Sequence, residues 1–264
     1  MNLLEQAKSD GDTFHEHSDV HFRMSCDLMN EYLKPKRGES IIDFGCATGR
    51  LAVELASRVG KSGRVVGVDI DKRRIALARA ELIRLHSSHV SLTFVQRSIK
   101  EAMRLEPFDR ILNNMVFQWI KPVERSIIMK DIYSNLKPGG RFAFLVFPTQ
   151  TQDRFIFRDI LSLLSPSESL ESVWGIYLES VSTWLQLCTD IGFDIEMSDV
   201  KMVEEEEPTV KDLVALVEAA VPAFKSYMLS EKDVEYLKQL YRSDSHEKIR
   251  YQCRVFTVLA RKCL

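Results

Sequence analysis

The chain has 264 residues, 45% hydrophobic and 28% charged, which suits one α/β domain with insertions or one domain with a modest cap. Thirty-six basic against 38 acidic residues give a formal net charge of −2, without the basic excess of a general nucleic-acid binder. Cys26, Cys46, Cys188, Cys253 and Cys263 form no C-x-x-C pair, the opening stretch has no apolar signal-peptide core, and no apolar run reaches a membrane span; these features are expected of a cytoplasmic protein with reduced thiols, no structural metal and no membrane partner.

Val20, Met24 and Leu28 recur at helical spacing within residues 19–33, so the chain is expected to open on a helix that packs beside the loop at 45–49. SIIDF at 40–44 reads as a buried strand, residues 45–49 as that loop, and Leu51, Ala52, Leu55, Ala56 and Val59 as one face of a helix. RVVGV at 64–68 is the second strand; Ile75, Ala78, Leu82 and Leu85 mark the next helix; LTFV at 92–95 and FDRIL at 108–112 are the third and fourth strands. The helix expected over residues 122–136 should be stopped by Lys137-Pro138-Gly139-Gly140, ahead of a fifth strand, RFAFLVF, at 141–147.

Beyond Pro148 the rhythm changes. Helices are expected over 153–164, 181–191, 209–220 and 231–241, with strands at 193–203 and 251–260, and the run Glu204–Glu207 as a solvated turn. The segments 148–178 and 205–245 are too long for simple loops and read as helical inserts capping the C-terminal edge of the sheet. Alternation of near-continuous apolar strands with amphipathic helices predicts a doubly wound, mostly parallel seven-stranded sheet with helices on both faces.

The run Asp43-Phe44-Gly45-Cys46-Ala47-Thr48-Gly49-Arg50 follows a strand and opens a helix. Its glycines allow a sharp turn and a close approach of ligand to backbone, beside the free N–H groups of a helix start. Asp69 follows Gly49 by 20 residues at the tip of the next strand, where a carboxylate can accept from both hydroxyls of a ribose. Asp69 and Asp71 could instead merely cap the following helix; a shared arrangement is expected, with Asp69 on ribose and Asp71 as cap. His15, His17 and His21 complete no metal-ligand pattern, and read as a polar lid in which one, His17, could serve as a base. Trp119, Trp174, Tyr177 and Trp184 could line an acceptor pocket, although aromatics at such spacing are more often core.

The blocks DFGCATGR, VDID, FVQRS, FDRILNNMVFQW and LKPGGRFAF, in that order across residues 41–147, resemble class I S-adenosylmethionine-dependent methyltransferases. The Gln118-Trp119 pair, the inserts and the last strand resemble more specifically the trans-aconitate and juvenile-hormone-acid type. The resemblance implies a helical lid segment at 1–38, a cofactor-binding half at 39–147 and, at 148–264, the rest of the sheet with its caps. It implies that Asp43, Gly45, Cys46, Ala47 and Gly49 cradle the methionine part of S-adenosyl-L-methionine, that Asp69 binds its ribose and Ile70 packs on the adenine. Ser98 and Ile99 would edge the adenine, Asn113 and Asn114 would close the methionine side, and Gln118 and Trp119 would face the transferred methyl. The family often has glycine where Ala47 stands, tolerable if φ there is negative, and aspartate where Ser98 stands, which is expected to weaken cofactor binding.

Methyl transfer from a sulfonium needs alignment and desolvation more than a nucleophilic side chain or a metal. The closer resemblance favours a small-molecule acceptor methylated on a carboxylate oxygen. A nicotinamide dehydrogenase shares the strand, turn and distal acid, but the full G-x-G-x-x-G is absent. A nucleic-acid base methyltransferase would carry prolines where Asn113-Asn114-Met115-Val116 stands. A non-catalytic binding protein on the same fold is the remaining alternative.

Overall fold

The structure is a computed structural model that describes residues 19–84, 91–102, 106–149, 155–221, 223–242 and 248–263. Helix α1 (Asp19–Asp27) continues into a π-helical turn at Leu28–Leu33. There follow β1 (Ser40–Phe44), α2 (Arg50–Val59), β2 (Arg64–Asp69), α3 (Lys72–Arg84), β3 (Leu92–Gln96), α4 (Ile99–Ala102) and β4 (Phe108–Asn114). A 3-10 turn at Phe117–Trp119 leads to α5 (Pro122–Asn135) and β5 (Leu136–Val146). Beyond it lie α6 (Ile156–Leu164), α7 (Leu170–Trp174), α8 (Val181–Ile191), β6 (Phe193–Glu207), α9 (Val210–Ala220), a 3-10 turn at Ser226–Met228, α10 (Glu231–Tyr241) and β7 (Ile249–Lys262).

The seven strands form one sheet in the order β3-β2-β1-β4-β5-β7-β6. The first five are parallel, and β7 runs antiparallel to both its neighbours. Side chains alternate faces along each strand, so the sheet feeds two cores. On one side, Ile41 and Leu112 pack with Leu51, Leu55 and Val59 of α2, Ile75 and Ala78 of α3, and the cap helices α6, α9 and α10. On the other, Ile42, Phe44 and Phe144 pack with Ile128 and Ile132 of α5 and Trp184 and Cys188 of α8. There Phe117 lies 5.6 Å from Phe144 and 5.5 Å from Trp184 between ring centroids, contacts worth about 0.5–1.5 kcal/mol each beyond the area they bury. Trp184 is therefore core on the face opposite the caps, which removes it from any pocket beneath them.

Two expectations are corrected. Lys137-Pro138-Gly139-Gly140 follows the end of α5 at Asn135, as expected, but is not a turn ahead of the fifth strand: β5 already begins at Leu136, which pairs with Phe108, and a register shift lets the strand absorb the proline and glycines before Arg141 pairs with Arg110. Glu204–Glu207 is not a turn either. It continues β6 against β7, where Arg250 bridges to Glu204 and Glu206 and Gln252 donates to Glu204, so cross-strand partners offset the repulsion of the run.

Candidate active site

Strand order reverses between β1 and β4, so their C-terminal ends open a crevice, the place where ligands bind in sheets of this type. The loop from β1 to α2 forms one wall. Gly45 (φ +75°) and Gly49 (φ +82°) adopt a left-handed backbone, and a Cβ on Gly45 would lie 2.1 Å from a methyl of Val116 on the opposing loop. Gly45 and Cys46 donate their N–H groups to the carbonyl of Val68 at 2.7 and 3.0 Å, tying the loop to β2. Ala47 has φ +47°, so the negative φ under which an alanine is readily tolerated here is not met. An L-residue in this region carries about 1–2 kcal/mol of strain, while glycine's looser unfolded chain costs about 0.4–1 kcal/mol. Ala47→Gly should therefore raise the denaturation midpoint by the equivalent of ~0.5–1 kcal/mol, and a lower midpoint would show the turn to be relaxed.

Two buried carboxyls stand at the base of the crevice. Asp69 accepts from the N–H of Ala47 at 2.9 Å through one oxygen and from that of Asp71 at 2.8 Å through the other. Each carboxylate oxygen has a second lone pair, so two acceptor positions remain. Burial raises the pKa of Asp69, with the Arg74 guanidinium opposing the rise. Asp43 is 2% exposed and its Oδ2 has no hydrogen-bond partner. Burial, and secondarily the Asp69 charge, push its carboxyl up to about 7. An uncompensated buried carboxylate costs several kcal/mol in general, so the pair asks for a cation. Asp71 caps α3, accepting from Arg73 and Arg74 N–H at 2.8 and 3.0 Å, the capping role read for it from the sequence.

Beyond Asp69, Ile70 is 67% exposed, an apolar surface at the strand tip. Ser98 and Ile99 begin α4 nearby: the Ser98 hydroxyl and N–H both donate to Glu101 at 2.9 Å, so that hydroxyl is engaged in capping. Cys46 is buried, which pushes its thiol well above the usual range and makes it part of the wall rather than a nucleophile.

The tip of β4 forms the other wall. Asn114 donates to Ser25 Oγ at 2.6 Å and to the His21 carbonyl at 3.3 Å, fastening α1 across the crevice, and its Oδ1 has no partner. Asn113 is fully buried with both amide atoms unpartnered, and alternation sends its side chain to the face opposite Asn114. Met115 takes φ +56°, a strained conformation of the kind found at functional sites. Gln118 is 3% exposed with Oε1 unpartnered, while its Nε2 reaches only the Met115 sulfur at 3.7 Å. Trp119 Nε1 donates to the Met115 carbonyl at 3.2 Å.

His17 and His15 lie outside the described residues. His21 is the histidine the structure places at the crevice, on α1, and burial with help from Arg74 lowers its pKa to about 4, so the ring is neutral and weakly basic. Arg74 itself was not singled out by the sequence: it donates from α3 to the Ala219 carbonyl at 3.3 Å, joining this side of the crevice to the C-terminal end of cap helix α9. Among the described residues no group of histidine, cysteine, aspartate or glutamate could hold a metal ion, and no helix is long and apolar enough to cross a membrane.

Residues 35–164 match a family model described as a methyltransferase domain. The carboxy-S-adenosyl-L-methionine synthase of Wolinella succinogenes is 32% identical over 111 residues, 42% of this chain and 45% of that protein. The chain spans about half the length of the first curated relatives it matches. The malonyl-[acyl-carrier protein] O-methyltransferase of Priestia megaterium is 25% identical across 93% of this chain and 92% of that protein. In fold, the chain is similar to a Bacillus halodurans protein provisionally described as a methyltransferase, with TM-score 0.61, 16% identity, and coverage of 91% of this chain and 99% of that one.

Proposed function

We propose that this chain, which carries a class I S-adenosylmethionine-dependent methyltransferase domain, transfers a methyl group to a carboxylate oxygen of a small acceptor. The observation that carries the cofactor assignment is the buried pair Asp43 and Asp69 beside the glycine loop, one with an oxygen lacking any partner and the other with acceptor positions to spare. S-Adenosylmethionine brings an ammonium for the first, ribose hydroxyls for the second and an adenine for Ile70. When bound, it supplies an activated methyl on a sulfonium.

The residues of the crevice then have to hold, align and dry the reactants. Asn114 and Gln118 offer amides with oxygens lacking partners, and Trp119 an apolar plate. His21, with a pKa near 4, is a poor base at neutral pH, which disfavours acceptors that must lose a proton there. A carboxylate is already ionised and needs none. The cap packs Phe147 against Phe155 and Phe157 with centroids 5.2 and 5.9 Å apart, and Trp119 packs against the same side of the core, which supports an acceptor with an apolar body.

Calorimetric titration with S-adenosylmethionine, S-adenosylhomocysteine and NAD tests the cofactor. Binding of the first two alone is expected; binding of NAD alone would make the chain a dehydrogenase, and binding of none would leave a non-catalytic partner protein. The same titration carries a pH prediction. A carboxyl raised in the folded state destabilises the unliganded protein progressively as pH climbs from the ordinary carboxylate range through about 7. A cationic ligand favours the ionised form, so S-adenosylmethionine affinity should rise over the same interval, with proton release on its acidic side. Flat affinity across it would separate Asp43 from the ligand's ammonium.

A further inference from the structure

Arg125 lies in the first turns of α5, 2% exposed. Its Nε donates to the Ile120 carbonyl at 2.9 Å and its Nη2 to the Tyr177 carbonyl at 2.6 Å. The guanidinium stands 3.4 Å from the Glu179 carboxylate and 4.7 Å from the centroid of the Trp184 ring. These groups come from three stretches: the turn that carries Gln118 and Trp119, the strap at residues 175–180, and α8. The strap is fixed to the same turn, since Tyr177 N–H donates to the Gln118 carbonyl at 2.7 Å, and to the end of β5, since Thr149 N–H donates to the Glu179 carbonyl at 2.8 Å.

We propose that Arg125 is a positioning residue: its buried guanidinium clamps the turn at 117–120 to the strap at 175–180 and thereby sets where Gln118 and Trp119 stand in the crevice. The inference rests on the reading that those two side chains face the transferred methyl. Both are held by hydrogen bond only to Met115 within their own turn, so their placement is the placement of the turn as a whole. The turn has two internal backbone bonds, Trp119 N–H to Val116 and Ile120 N–H to Phe117, and begins at the strained Met115. Without the Arg125 bond to the Ile120 carbonyl it would be left with the Tyr177 N–H bond to the Gln118 carbonyl and would be freer to relax from that conformation. A planar fork is needed to reach both carbonyls, because Nε and Nη2 diverge from one rigid group; a lysine ammonium keeps the charge and can meet only part of the set.

The test uses the full chain and two variants, Arg125→Lys and the milder Glu179→Gln. Hydrogen exchange of the peptide covering residues 115–120 is followed with S-adenosylhomocysteine affinity and with methyl transfer from S-adenosylmethionine to dodecanoate as the acceptor probe. Arg125→Lys is expected to leave the unfolding transition cooperative and S-adenosylhomocysteine affinity within about twofold, and to speed exchange in that peptide roughly tenfold or more. Turnover should fall between ~10- and ~100-fold with the KM for S-adenosylmethionine unchanged, as expected when alignment rather than binding is lost. Glu179→Gln should speed exchange in the same peptide by less, and it decides the matter if the lysine variant does not fold. Unchanged exchange at 115–120 in a folded variant, or an equal rise across the whole sheet, overturns the assignment. Wild-type protein that binds S-adenosylhomocysteine but leaves dodecanoate untouched would count against the acceptor reading alone, because the exchange result still decides the role of Arg125.

Discussion

Replacing Gly49 with alanine should cost about 2–5 kcal/mol of folding stability, the sum of placing an L-residue in left-handed backbone and overpacking a closed site. Gly49 has φ +82°, and a Cβ there would stand 2.5 Å from Phe94 Cζ and 2.9 Å from Ala78 Cβ. Neither neighbour can give way cheaply. Phe94 is buried in β3, its ring also lies 2.7 Å from where a Cβ on Gly67 would sit, and Ala78 is on the buried face of α3. The added methyl would thus push α2 away from β2 and β3 and open the loop that Gly45 and Cys46 hold against Val68. Denaturant unfolding of the two proteins measures the loss. Adding Phe94→Leu to the variant should return part of it, because a smaller side chain relieves the contact and leaves the backbone strain. A loss under ~1 kcal/mol would mean that the loop can move aside.

The parallel half of the sheet was legible because each of its strands is a short apolar run bounded by turn residues, and each helix there carries its buried face at helical spacing. Helices α8 and α10 were legible to the residue, since Ser180 and Ser230 cap them and Gly192 ends the first. What failed was judged on local chemistry that tertiary pairing overrides. Four glutamates in a row read as solvated until Arg250 and Gln252 stand across from them, and Pro138-Gly139-Gly140 reads as the break before a strand until β4 pairs with Leu136 on one side of it and Arg141 on the other. Ala47 shows the same limit at the site. Its identity gives no sign of a positive φ, which is imposed by the N–H it must present to Asp69. Arg74 and Arg125 were invisible for a related reason: both donate to backbone carbonyls, at Ala219, Ile120 and Tyr177, and no side-chain pattern announces a carbonyl.

Asp69→Ala should weaken S-adenosylmethionine binding by roughly 10- to 150-fold, the range set by charge-assisted hydrogen bonds worth about 1.5–3 kcal/mol. The alanine variant alone is ambiguous, because Asp69 also accepts from Ala47 and Asp71, so its loss leaves two N–H groups of the loop without a partner and deforms the wall. Asp69→Asn is the milder change: the amide keeps the size of the group and one acceptor oxygen for the loop, sets its NH2 against the other N–H, and gives up the charge. It also removes the neighbour that, after burial, helps hold the Asp43 carboxyl near 7. Asp43 should then ionise at lower pH, and the interval over which affinity rises should move to more acidic values while affinity itself falls. Calorimetry of wild type and Asp69→Asn across pH reads both at once. A weaker but unshifted profile would leave Asp69 on the ribose and uncouple it from Asp43. A shifted profile at undiminished affinity would remove Asp69 from the ribose and leave it as the carboxylate that shapes the glycine loop.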